Sequence, residues 1–295
     1  MTTAPLPDGE QEHTPERQTT PFLVLQFFIF PMAIVAVCVT VFVVFGLIAS
    51  EGKSARDYLG EVRSGGANRR WQAAFELSKV IQGKKDAALE DPRFAPEAIA
   101  LFKDSANDDP RVRRYLALAL GRLGDRAAVP ALREALDEDA ADSETVIYSI
   151  WALGTIADPV AVPDLVRFAQ SEDRGYRKAA VHALGAFGTD AGAHAALVAA
   201  LGDAADDVRW NAAIALGRRG DPAAAPVLLH MLDRPALART EGVTPEQAEA
   251  ATLSAIPAAA AQRDASFRTA LEALRDKDPS LKVREAAREA LAAAQ

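Results

Sequence analysis

The chain has 295 residues, 49% of them hydrophobic, enough for one elongated array or one or two ordinary domains and far from a disordered composition. Its formal net charge of −8 argues against a nucleic-acid-binding body, which needs a basic stripe to offset phosphate. A single cysteine, Cys38, excludes an intrachain disulfide and any metal site built on cysteines.

Residues 1–20 are predicted to be a disordered acidic tail, with Asp8, Glu10, Glu12 and Glu16 against Arg17 as the only base. Residues 21–50 are predicted to form one transmembrane helix. Within them, residues 22–49 run for 28 positions without a charge. As a helix this stretch spans roughly 42 Å, more than the ~30 Å hydrocarbon core of a bilayer. Pro31 divides it, and the 18 residues from Met32 to Ala49 are just long enough to cross. A cleaved signal peptide would have a basic start and a shorter apolar core. The flank after Ser50 carries Lys53, Arg56, Arg63, Arg69 and Arg70. The positive-inside rule then puts the C-terminal body in the cytoplasm of a bacterial inner membrane, with a periplasmic body as the alternative.

Residues 54–295 read as a repeat array, beginning with ARDYLGEVR at 55–63 as the first helix of the first pair. Four segments align without gaps: VRRYLALALG (112–121), TVIYSIWALG (145–154), YRKAAVHALG (176–185) and VRWNAAIALG (208–217). Their final glycines, Gly121, Gly154, Gly185 and Gly217, are spaced 33, 31 and 32 apart. RRWQAAFELS (69–78) and VREAAREALA (283–292) fit the same frame. A degenerate copy is expected to end near Pro257, after an insertion around 234–246. In 208–217, Val208, Ala212, Ala215 and Leu216 share one helical face. The glycine is expected to cap the helix in the left-handed conformation. Asp125, Asp158, Asp190 and Asp221 follow, each placed to N-cap the next helix. That helix has its own signature, with Pro130, Pro163 and Pro226 each five residues after such an aspartate. The unit is a pair of helices of about 32 residues. One pair cannot bury its apolar face alone, so stacked pairs give an all-α solenoid.

The pattern Val-Arg-x-x-Ala-Ala-x-Ala-Leu-Gly followed by Asp resembles the short HEAT-like repeats first named for phycobilin lyases. The resemblance implies a solenoid of HEAT-like helix pairs, here preceded by one transmembrane helix. Its function is less constrained: lyases of that kind attach a linear tetrapyrrole to a partner protein, but the repeat frame is shared by many non-enzymes. Deoxyhypusine hydroxylases, a related HEAT-like family, bind iron through repeated His-Glu pairs. His13, His182, His194 and His230 make no such pair. No phosphate-binding loop or nucleophile elbow occurs either. The sequence therefore suggests no catalytic residue, metal, cofactor or small-molecule substrate.

Two repeated slots remain. Arg70, Arg113, Arg177, Arg209 and Arg284 share one, filled by Val146 in one copy. They read either as a structural ladder, each guanidinium reaching a carboxylate or helix end, or as an anion-binding row. Trp71 and Trp210 share a second slot, and Phe75, Leu118, Trp151, His182 and Ile214 lie one turn further on. These positions point away from the Ala/Leu face. They are either packed between helices or displayed as a protein-binding stripe. The sequence points to a non-enzymatic, membrane-anchored scaffold whose partners are a lipid bilayer and a protein at or near it, with no nucleic acid. An accessory or lyase-like protein handling a prosthetic group is the alternative.

Overall fold

The computed structural model describes residues 28–49, 53–83, 86–138, 142–262 and 264–293, and forms two units divided between Lys53 and Ser54. The predicted acidic tail, residues 1–20, lies outside the described residues. In the first unit, helix α1 (Phe30–Ala49) carries exposed apolar side chains, among them Phe28 just before it, Phe30, Met32, Ile34 and Phe42. Among the described residues no helix is long and apolar enough to cross a membrane. Residues 22–27, and the side chains of 45–49, which would complete the predicted span, lie outside them.

The second unit is built of helix pairs: α2 (Ala55–Ser64) with α3 (Ala67–Gly83), α4 (Phe94–Asp104) with α5 (Pro110–Leu123), and α6 (Val129–Glu138) with α7 (Ser143–Ile156). They continue as α8 (Val162–Ala169) with α9 (Arg174–Leu184) and α10 (Ala191–Ala200) with α11 (Asp206–Gly217). Next comes α12 (Ala225–Leu232), then the short α13 (Arg234–Leu237) inside the insertion, and α14 (Pro245–Ala260) as the partner of α12. The last pair is α15 (Ala265–Lys277) with α16 (Leu281–Ala293). Two layers result. Helices α3, α5, α7, α9, α11, α14 and α16 stack on one another in sequence, and each packs on its own partner in the other layer. The core runs between the layers, with Leu77, Phe94, Phe102, Leu116, Leu132, Ile150, Leu165 and Phe267 all at most 1% exposed. No strand occurs among the described residues.

The repeat glycines do not cap their helices in the left-handed conformation, as the sequence suggests. Gly121 and Gly154 lie within α5 and α7, and Gly217 is the last residue of α11. None of the four has a positive φ. Each instead lets the next helix approach. A Cβ on Gly121 would come within 2.7 Å of Ala152 Cα, and one on Gly154 within 2.6 Å of Ala183 Cβ. At Gly185 the neighbouring Ala215 Cβ would lie 3.2 Å away, and at Gly217 the Ala258 Cβ 3.1 Å away. The left-handed caps come three residues after the repeat glycine, at Gly124 and Gly220 (φ 74° and 71°), and at Ala157 (φ 55°). A Cβ makes that conformation costly. Ala157→Gly is therefore expected to stabilise the unit by about 1 kcal/mol, read as a higher urea midpoint with unchanged slope.

The same contacts correct the register of the degenerate copy. The residue facing each repeat glycine occupies the eighth position of the next copy: Ala152, Ala183 and Ala215. Ala258 therefore holds that position too, and the copy is 251–260, ending at Ala260 rather than near Pro257. Pro257 lies inside α14 on its exposed side. The helix starts also differ from expectation. Asp125, Asp158 and Asp221 cap a short 3₁₀ turn (Arg126–Ala128, Pro159–Ala161, Pro222–Ala224) before the α-helix begins. Pro130, Pro163 and Pro226 then fall in the first turn of that helix, where a missing N–H leaves no bond unmade. No proline follows Asp190, which caps α10 directly by accepting from Ala193 N.

Candidate protein-binding face

The stripe residues all lie in one layer: Trp71 and Phe75 on α3, Leu118 on α5, Trp151 on α7, His182 on α9, Trp210 and Ile214 on α11. None is fully buried. Phe75 and His182 are exposed, Leu118 is half-buried, and Trp71, Trp151, Trp210 and Ile214 are half-buried against the core. They do not form one unbroken row of contacts.

At the N-terminal end, rings cluster. Trp71 and Phe75 meet Tyr115 at centroid distances of 6.4 and 5.1 Å, and Tyr115 meets Tyr148 edge-on at 6.2 Å. Arg111 lies 4.6 Å over Trp71 and Lys79 lies 5.1 Å over Phe75, cations drawn to the ring faces. Tyr115 and Tyr148 were not singled out from the sequence. They occupy the same slot in consecutive copies, three residues before Leu118 and Trp151, and that recurrence is the signal that finds them.

At the C-terminal end, Trp151, Thr155, His182, Asn211, Ile214 and Arg218 line a cavity of about 390 Å³ across α7, α9 and α11. Asn211, Ile214 and Ser254 are shared with a second cavity of about 510 Å³ that reaches Trp210, Arg174 and Lys178. Although its side chain is partly open to solvent, desolvation in this cavity first, and the nearby Arg218 second, lower the His182 imidazole from its ordinary value and favour its neutral form. Arg219 donates to Gly185 O, and Arg122 donates to Ser78 O and Oγ at 2.9 and 3.1 Å. Arg122, Arg218 and Arg219 have no carboxylate within ion-pair distance among the described residues. The face thus offers aromatic and aliphatic surface beside uncompensated positive charge, although the chain as a whole is acidic.

The arginine slot makes a recurring set of bonds. Arg70 donates to Val62 O (2.7 Å) and pairs with Asp108 (2.5 Å). Arg113, 3% exposed, pairs with Glu138 at 2.9 Å. Arg177 donates to Ser171 O and Glu172 O, both in the loop after α8, and pairs with Asp203 at 2.8 Å in the loop before the next copy. Arg209 bonds Asp203 O and Ala204 O and pairs with Asp206. Arg284 donates to Asp278 O and Pro279 O. Arg177, Arg209 and Arg284 clamp loop carbonyls, Arg70 bonds a carbonyl in the last turn of α2, and Arg70, Arg113 and Arg177 reach a carboxylate one unit on.

The Arg177 hydrogen bond is the main cause that holds the Asp203 carboxyl below its ordinary value. The folded state therefore binds this proton more weakly than the unfolded state. Its stabilisation is whole above about pH 4 and is lost as pH falls through the lowered folded value. Asp203→Asn should lower the urea midpoint at pH 7, and the gap from the parent protein should narrow below pH 4. An unchanged gap would sink this account.

Among the described residues no three His, Cys, Asp or Glu side chains converge as a metal site would require. His194 is engaged with the Asp221 carboxylate at 2.7 Å on the surface.

HEAT repeats are recognised over residues 139–208 and 190–243, and a PBS lyase HEAT-like repeat over 112–138. No curated protein matches the chain. Among solved structures, a chain of the complex of CpcE and CpcF of phycocyanin lyase from Nostoc matches with 22% identity and TM-score 0.52, covering 84% of this chain and 97% of that one. Human deoxyhypusine hydroxylase in complex with glycerol matches with 22% identity and TM-score 0.36 over 79% and 83% of the two chains. An archaeal HEAT-like repeats protein from Thermococcus onnurineus matches with 17% identity and TM-score 0.39 over 83% and 98%. The first of these likenesses shows the fold.

Proposed function

We propose that this array of HEAT-like repeats is a non-enzymatic scaffold that holds another protein on the face carrying Trp71, Trp151 and Trp210. The observation that carries the reading is the face itself. Large apolar residues that a packed core would hide remain half open there, beside arginines with no carboxylate partner. Aromatic and arginine side chains are the groups that dominate binding energy at interfaces. The likeness to a chain solved in complex with a second protein fits a partner-binding role.

The charge-free stretch of residues 22–49 is the basis for proposing that the scaffold is anchored in a membrane, with the repeat unit on the cytoplasmic side of a bacterial inner membrane. Confinement there raises the effective concentration of the unit near a membrane partner without any new contact. The partner is then a subunit or assembly factor of a membrane complex.

Affinity capture from native membranes tests both parts. Trp151→Ala combined with Trp210→Ala should reduce the captured partner tenfold or more while circular dichroism stays unchanged. Equal capture by the double variant would refute the stripe. A chain starting at Ser54 should leave the membrane fraction, and if the full chain is extracted by carbonate the anchor is wrong. A purified protein that carries a coloured prosthetic group would favour the lyase-like role instead.

A further inference from the structure

One carboxylate breaks the arginine pattern. Asp278 lies six residues before Arg284, as Asp203 lies six before Arg209. Asp203 is met by Arg177, from the same slot of the preceding helix in its layer. For Asp278 that slot falls on Thr252, whose hydroxyl donates to Met231 O at 2.8 Å instead. The Asp278 side chain is 1% exposed. Its Oδ1 accepts from Ser280 N at 2.8 Å, and its Oδ2 has no hydrogen-bond partner. Arg234, brought in by the insertion, stops with Nε 3.7 Å from Oδ2, and its own Nη1 is also buried without a partner.

Beside this incomplete pair is a cavity of about 570 Å³. Asp278 and Arg234 both line it, as do the exposed Asp233 and Lys277, and the rest of its walls are largely apolar, with Leu229, Leu232, Ala248, Ala270, Leu274 and Pro279 among them. The size suits a small organic molecule. Buried donors and acceptors left unmade are costly, and a ligand that completes them recovers that cost on binding. A lone cation would satisfy Asp278 and be repelled by Arg234, and a lone anion the reverse. A head with one charge of each sign satisfies both.

We propose that this cavity binds a free apolar α-amino acid, its carboxylate on Arg234, its ammonium on Asp278 Oδ2, and its side chain among Leu229, Leu232 and Leu274. Arg234, whose side chain is 15% exposed, is the member that turns toward the cavity and uncovers Oδ2. The site is separate from the aromatic face and does not depend on the role proposed for it.

Calorimetric titration of the full chain in detergent with L-leucine and with L-phenylalanine tests this. At least one should bind saturably and raise the thermal midpoint. N-acetyl-L-leucine, without the ammonium, and isoamylamine, without the carboxylate, should each bind tenfold more weakly or worse. Asp278→Asn and Arg234→Gln should lose a similar factor. Ala270→Phe, at a half-buried position on the cavity wall, should abolish binding while the helical signal is kept. Should Asp278→Asn fail to fold, the comparison of ligands reads the same contacts on the parent protein. No heat and no midpoint shift with either amino acid at millimolar concentration would overturn the proposal. So would equal binding of N-acetyl-L-leucine.

Discussion

Gly154→Val should destabilise the repeat unit by about 3 kcal/mol, the upper part of the range for overpacking a close helix contact. For a domain of this size that lowers the thermal midpoint by about 6–12 °C. Even a methyl group at Gly154 would lie 2.6 Å from Ala183 Cβ and 2.7 Å from Ala183 Cα. The second of these is backbone, so no side-chain rotation relieves it. Helices α7 and α9 must part, and in a stacked array the misfit passes to both neighbouring units. Gly154→Ala should be partly rescued by Ala183→Gly, which removes the facing methyl, even though a glycine within a helix costs about 1 kcal/mol by itself. Strict additivity of the two changes would show that close approach is not the reason for the glycine.

Phe102→Ala should cost about 3–5 kcal/mol, the range for deleting a large buried aromatic ring. Phe102 is fully buried on α4, and the guanidinium of Arg113 lies 4.9 Å above its ring. Arg113 is itself buried and pairs with Glu138 across to α6. Removing the ring leaves a cavity under a buried cation and deletes its cation–π contact. Phe102→Leu keeps most of the volume and loses only the ring, so its cost should be clearly smaller. Urea unfolding of both variants, followed by far-ultraviolet circular dichroism, separates the two contributions. A Phe102→Ala cost below 1 kcal/mol would mean that the array closes over the gap.

Much of this architecture is legible in the sequence because a helix fixes the face each residue takes. Val208, Ala212 and Leu216 are buried where their spacing puts them, and Trp210 and Ile214 stay half open. Asp125, Asp158 and Asp221 do cap the turn that follows them, since a side-chain oxygen bonds a backbone N–H two residues away whatever the tertiary setting. The candidate face is legible for the same reason, apart from Tyr115 and Tyr148, whose slot is otherwise filled by polar or small residues.

Sequence alone determined that the body is a chain of helix pairs, which face of each helix turns inward, and which aspartates cap the turns between them. Those properties are local or periodic. Only the tertiary structure decided what the repeat glycines do, where the copy at 251–260 sits, and that Asp278 lacks an arginine from the helix before it. Each of these depends on the offset between two helices. Side-chain volume and backbone approach set that offset at the contact, and the period of either helix alone does not contain it.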